Sequence, residues 1–223
     1  MSRITTSWPI FGLPLGGALL ARQLITNPIG ADLTSSRNLF DALLPIYMVH
    51  QFEEHGYDLK GERFAFQKHM AKSMDYTDLA KFPATPAWVT AINVGFAWTF
   101  GSIAFYNADK DPLLSVPFNG FVFVNGILHI VTFLKEGMRY NPGLATAVTL
   151  FLPLTLYSYS KAAVNNSQLA LSVVLGLVAH IAILGNFKAL DKGKVTQGTS
   201  IAFWCGFGAA LPFLYKGLAS LLA

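Results

Sequence analysis

His50, Glu53 and Glu54 stand together in the run HQFEE, at positions i, i+3 and i+4. On a helix that spacing turns one imidazole and two carboxylates toward the same side. Asn125 and His129, four apart in NGILH, share a face in the same way; His180 sits alone in LVAHIAILGN, and Asn93 is a further polar residue in AINVGF. Two or three imidazoles with a carboxylate are the usual ligand set of zinc, and also of non-haem iron. The expected ligands of a divalent metal, zinc before iron, are therefore His50, Glu54, His129 and His180. Glu53 and Glu54 are the expected catalytic carboxylates, one ligating or orienting while the other moves protons. Asn93 and Asn125 are expected as supporting polar residues. No HxxxH pair occurs, so the set has to be assembled from three helices, and five histidines are too few for a histidine-rich di-iron desaturase. His55 falls on another helix face and His69 in a loop; neither is included. Taken singly, each residue has a plainer reading, as interhelical hydrogen-bonding glue or as a helix end reaching headgroup water.

The elements that must position these residues are membrane spans. Of 223 residues, 53% are hydrophobic and 13% charged, and the mean hydropathy is +0.45. Soluble domains carry about 25% charged residues, so the composition argues against a water-soluble globule, and it excludes disorder. The single cysteine, Cys205, permits neither an intrachain disulfide nor a CxxC zinc site. A net charge of +4 finds no polar domain large enough to present it to nucleic acid. A crossing helix needs about 20 mostly apolar residues. Pro86–Tyr106, Leu113–Leu134, Pro142–Ser160 and Gln168–Phe187 qualify, and Thr199–Leu222 does so with a kink at Pro212 and a snorkelling Lys216. Leu39–Gly56 is a sixth, carrying HQFEE at its end. Trp8–Ile25, with two prolines and Arg22, is the weakest; it reads as a seventh span or a re-entrant segment, since its small-x-small pattern fits signal cleavage poorly. The expected fold is all-α, a polytopic transmembrane helix bundle of six or seven spans, forming one membrane domain over 1–223.

With seven spans, eleven basic residues fall on one side and five on the other. The positive-inside rule then puts the N-terminus in the cytoplasm, with the loops Tyr57–Thr85, Lys135–Asn141 and Lys188–Gly198. The first of these mixes Phe64, Phe66, Met70, Met74 and Leu79 with charged neighbours. It reads as an amphipathic helix on the inner membrane surface, a helical hairpin in water being the alternative. Counted from the helix ends on that side, His50, His129, His180 and Asn93 lie within about 3 Å of one another in depth. Four helices thus supply polar groups at one level, as an intramembrane site requires.

The run HQFEE, the NxxxH at Asn125–His129, the stretch YNPGLATAVTLFLPL from Tyr140 and the later His180 resemble, in that order, the HXXEE family of integral membrane proteins. The resemblance runs from His50 to Asn186 and implies a functional role for His50, Glu53, Glu54, Asn125, His129 and His180. It implies no substrate.

The function expected is that of a metal-dependent membrane enzyme, hydrolysis favoured, acting on a lipid or lipid-like amphiphile drawn from the bilayer. A metal-free isomerase or terpene-type cyclase, with Glu53 or Glu54 as the acid, is one alternative. A proton- or metal-coupled transporter is the other.

Overall fold

The computed structural model describes residues 3–26, 32 and 34–222. The expected membrane domain over 1–223 also takes in residues 1–2, 27–31, 33 and 223, which lie outside the described residues. Helix follows helix with no strand among the described residues. α1 spans Arg3–Thr26. α2, Ser36–Gln51, runs on into a π-helical turn, Phe52–Gly56. A short α3, Ala65–Ser73, lies in the long loop. α4, Pro86–Asn107, and α5, Pro112–Lys135, follow. α6 covers 144–161, α7 covers Asn166–Asp191 and α8 covers Gln197–Ala219.

The helix starts are written in the sequence. Thr85, Asp111 and Thr196 each accept a backbone N–H at the head of a helix, and Pro86 and Pro112 take the first helical position. Asn165 and Gln168 form a reciprocal capping box at the head of α7. The weakest expected span is one unbroken helix, α1, with Pro9 and Pro14 inside it. Five helices are long and apolar enough to cross a membrane: Ile4–Thr26, Pro86–Asn107, Pro112–Lys135, Asn166–Asp191 and Gln197–Leu222. The helix through HQFEE and α6 belong to the same bundle but do not meet that measure, because each ends in a polar stretch, HQFEE in the first and YSYSK in the second.

α5 lies at the centre, two thirds buried, whereas α1, α7 and α8 are mostly exposed and show Leu15, Leu177, Ile181, Phe203 and Phe213 on their outer faces. That is the inverse of a soluble bundle and suits lipid. α5 and α7 approach closely at Gly120, where an added Cβ would lie 2.2 Å from the Ser172 carbonyl oxygen. Small residues at such crossings let backbones pack directly. A ladder of Phe96, Phe100, Phe118 and Phe121 fills the middle of the bundle.

The three loops expected to share one side do meet at one end of the bundle. His69 of the long loop pairs with Glu136 at 3.0 Å, and Tyr76 donates to Asp191. The opposite end is tied by Lys216–Asp111 at 2.6 Å. The long loop is not one continuous amphipathic helix. Its chain enters α3 through Phe64 in the left-handed region, at φ 51°, and folds back against the π turn that ends α2. Ala65, Gln67, Ala71, Phe82 and Ala84 are buried there.

Candidate metal centre

HQFEE brings its groups together through a change of helical pitch. His50 is the last imidazole of the α-helical part, and Glu53, Glu54 and His55 lie in the π turn. Adjacent residues leave a helix about 100° apart, so the two glutamates diverge. Glu54 turns toward the histidines. Its Oε1 lies 3.5 Å from His50 Nε2 and 3.3 Å from His129 Nε2. All three side chains are buried, and one ligand atom from each falls within 4.8 Å of the others. Bonds of about 2.0–2.1 Å in a tetrahedral shell put neighbouring ligand atoms about 3.3 Å apart. Both contacts to Glu54 are close to that edge length.

The outer partners of the two rings decide which nitrogen faces the centre. Asn141 Nδ2 donates to the His129 carbonyl at 3.1 Å, which fixes its amide; Asn141 Oδ1 then accepts from His129 Nδ1 at 2.8 Å. Thr146 Oγ1 donates to Glu53 Oε2 at 2.6 Å and accepts from His50 Nδ1 at 2.8 Å. Each neutral ring therefore carries its proton on Nδ1 and turns the lone pair of Nε2 toward Glu54. Two bare nitrogens facing a carboxylate oxygen repel unless a cation or a proton lies between them. Outer-shell hydrogen bonds of this kind hold metal-binding histidines in one tautomer.

Glu53 does something else. Its Oε1 accepts from Tyr140 Oη at 3.0 Å and Ala145 N at 3.2 Å, and its Oε2 from Thr146 N at 2.8 Å as well as from the Thr146 hydroxyl. It holds the free N–H groups at the start of α6, where a negative charge is favoured. Burial, and then the Glu53 charge, push the Tyr140 phenol above its usual value, so it stays a donor. Glu53 thus reaches the centre only through Thr146 and His50.

His55, set aside on helical geometry, is part of the site. A π turn adds a residue per turn, so the fifth residue returns to the face that the fourth would occupy. His55 Nε2 lies 3.5 Å from Glu54 Oε2. A directed chain ends on the same nitrogen: Trp98 donates to Gln51 Oε1, Gln51 Nε2 to Asn93 Oδ1 at 2.7 Å, and Asn93 Nδ2 to His55 Nε2 at 3.3 Å. Two further π segments sit beside the centre. Ala91–Trp98 carries Asn93, and Ala147–Phe151 follows Thr146 and packs Phe151 on His50 with centroids 4.2 Å apart. π turns are often found at functional sites. Gly143 closes the group at φ +92°; an added Cβ would lie 2.5 Å from His129 Cε1 and 2.8 Å from His50 Cε1.

Glu54, His55, His129 and Asn93 line one end of a cavity of about 420 Å³ whose remaining wall is mostly apolar. α3 covers it: Phe66 packs on both His55 and His129, and the His69–Glu136 pair lies in its rim. Asn125 lines this cavity. His180 does too, yet it does not join the three-residue group. Its Nδ1 is turned to the Gly176 carbonyl at 2.8 Å and its ring stacks on Phe121, which holds it on a separate part of the wall. Equal depth among helices does not fix direction around the bundle axis.

Sequence reasoning missed Tyr140, Asn141, Gly143, Thr146 and His55. Four of these lie in the run from Tyr140 already singled out by resemblance, so their stretch was visible although their roles were not. Comparison with curated proteins and with solved structures gives no match. The family described as "Protein of unknown function with HXXEE motif" matches residues 42–158, which takes in HQFEE, Asn125–His129 and the run from Tyr140 but ends before His180. With its motif at the centre and more than half its length matched, the chain belongs to the HXXEE family.

Proposed function

We propose that this is an integral membrane metalloenzyme in which His50, Glu54 and His129 hold a divalent metal, zinc before iron, and which hydrolyses a lipid-like substrate taken into the cavity beside them. The observation that carries this is the pair of forced tautomers: both Nε2 lone pairs converge on one carboxylate oxygen at near-tetrahedral edge distances. A bound ion of this kind supplies Lewis acidity. The protein's own groups do the rest. Asn141 and Thr146 keep the rings in register, and Glu53 anchors Thr146. His55 presents an accepting Nε2 to the Asn93 amide beside Glu54 Oε2, and can take up a proton there only in exchange for that hydrogen bond. Phe66 and α3 keep bulk water from the centre, which strengthens every polar interaction inside. The apolar wall suits an acyl or isoprenoid chain. In this reading the chain crosses the membrane six or seven times and the covered end of the cavity faces the cytoplasm, as the eleven basic residues favour.

A second reading keeps the geometry and replaces the ion by protons. Glu54 lies against three imidazoles, and an imidazolium–carboxylate cluster would serve acid–base isomerisation. Elemental analysis of the detergent-purified protein separates the two. The metal reading expects about one equivalent of a divalent metal in the wild type and its loss in His129→Ala, since an incomplete set binds weakly. Full activity in a preparation without stoichiometric metal would reject it for the acid–base reading.

A further inference from the structure

Two polar atoms in the cavity wall have no protein partner. His180 Nε2 and Asn125 Oδ1 are both buried without a hydrogen bond, and both residues line the cavity. His180 Nδ1 faces a carbonyl oxygen, which only accepts, so the proton of the neutral ring sits there and Nε2 is a bare acceptor. Orphaned buried acceptors are rare, and each is costly unless something else satisfies it.

The two atoms belong to one level of the bundle. Short connections make α5, α6 and α7 run up, down and up, so α5 and α7 are parallel. Gly120 of α5 abuts Ser172 and Gly176 of α7. Counting from that crossing at 1.5 Å per residue, Asn125 and His180 lie within about 2 Å of each other in depth. His129 is one helical turn further on, about 6 Å toward the covered end. The apolar wall continues on both sides of this level, through Phe121, Ile183 and Leu184.

We infer that His180 and Asn125 form a recognition site for a hydroxyl on the cavity's occupant, which is therefore a long-chain alcohol or hydroxylated amphiphile rather than a fully alkylated one. The inference rests on the cavity being the substrate site of the centre described above. A hydroxyl has one proton to give: it donates to His180 Nε2, and its oxygen can in turn accept from Asn125 Nδ2 on the neighbouring helix. A donor about one turn from His129 would place the adjoining part of the molecule at Glu54 and His129. His180 thus recognises substrate and does not bind the metal.

An isomer pair tests this. 1-Dodecanol and 1-methoxyundecane have the same formula, and only the first can donate. Binding is read from the fluorescence of the protein in nanodiscs, Trp88 lying in the cavity wall, before and after chelation, with metal content measured on the same samples. The wild type should bind the alcohol about tenfold more tightly than the ether, as one satisfied buried acceptor predicts. His180→Phe, which keeps the stack on Phe121, should bind both alike at the ether's affinity. Asn125→Leu should narrow the preference. Equal binding of the isomers by wild type overturns the inference, with no variant needed. A preference that survives in His180→Phe, or one that disappears on chelation, also overturns it. If metal is absent while the preference holds, the hydroxyl site stands and the metal reading falls.

Discussion

Replacing Gly143 by alanine should dismantle the centre from outside its ligand set. Two costs combine. At φ +92° an L-residue is strained, by about 1–2 kcal/mol. The new Cβ also meets His129 Cε1 at 2.5 Å and His50 Cε1 at 2.8 Å. Carbon atoms pack at about 3.5–4.0 Å, so both rings must retreat by about 1 Å, an overpacking cost of about 1–3 kcal/mol. The expected destabilisation is about 2–5 kcal/mol in all. A 1 Å shift also breaks the convergence of the two Nε2 atoms, and metal affinity should fall about 10–100-fold, as for loss of a supporting contact. Gly137→Ala is the internal control. It has positive φ, +70°, but nothing within 4 Å of an added Cβ, so it carries only the strain term. Metal titration and thermal unfolding of both variants, in one detergent, give the comparison. Metal binding by Gly143→Ala equal to that of Gly137→Ala would refute the claim that the glycine holds space for the two imidazoles.

The two glutamates should behave unequally: Glu54→Gln should lose metal together with turnover, whereas Glu53→Gln should keep metal at saturating concentration and lose about 1–3 kcal/mol of stability, because an amide nitrogen then faces backbone donors. Thr146→Val should lower metal affinity about 10–100-fold by freeing His50 Nδ1, with the loss read by competition against a chelator. The Tyr140 phenol is held protonated in the folded state, so its bond to Glu53 should contribute fully below about pH 10 and be lost as pH rises through its raised value. Tyr140→Phe should accordingly cost about 1 kcal/mol in neutral buffer, with the gap to wild type closing only in strong alkali. Cysteines placed in the three loops that meet at the covered end, in a Cys205→Ser background, should resist labelling from outside intact cells; labelling of any one overturns the cytoplasmic assignment.

The parts of the site legible in the sequence were those that follow from helical repeat alone. The i, i+4 spacing set Glu54 beside His50, and NGILH turned Asn125 and His129 into one cavity. The apolar runs located the helices, including the one through Pro9 and Pro14. What escaped depended on contacts distant along the chain or on altered pitch. No composition signal marks a π turn, so His55 was assigned to the wrong face. Thr146 meets His50 and Glu53 across more than ninety residues, and no local pattern encodes that. Gly143 looks like any turn glycine until the two rings beside it are known. His180 shared the right depth, but its direction was set by Gly176 and Phe121 on its own and the neighbouring helix. The long loop, expected as one amphipathic helix, has its α-helix confined to Ala65–Ser73, which starts after left-handed Phe64 and packs against the π turn.

X-ray absorption at the metal edge, on protein reconstituted with zinc, tests the central claim most directly. Binding by His50, Glu54 and His129 predicts two imidazole nitrogens at about 2.0–2.1 Å and a carboxylate oxygen at about 2.0–2.2 Å in the wild type, and the loss of that two-imidazole shell together with the bound zinc in His129→Ala. A shell containing sulfur from Cys205, or oxygen alone, or an unchanged imidazole signal in His129→Ala, would contradict it.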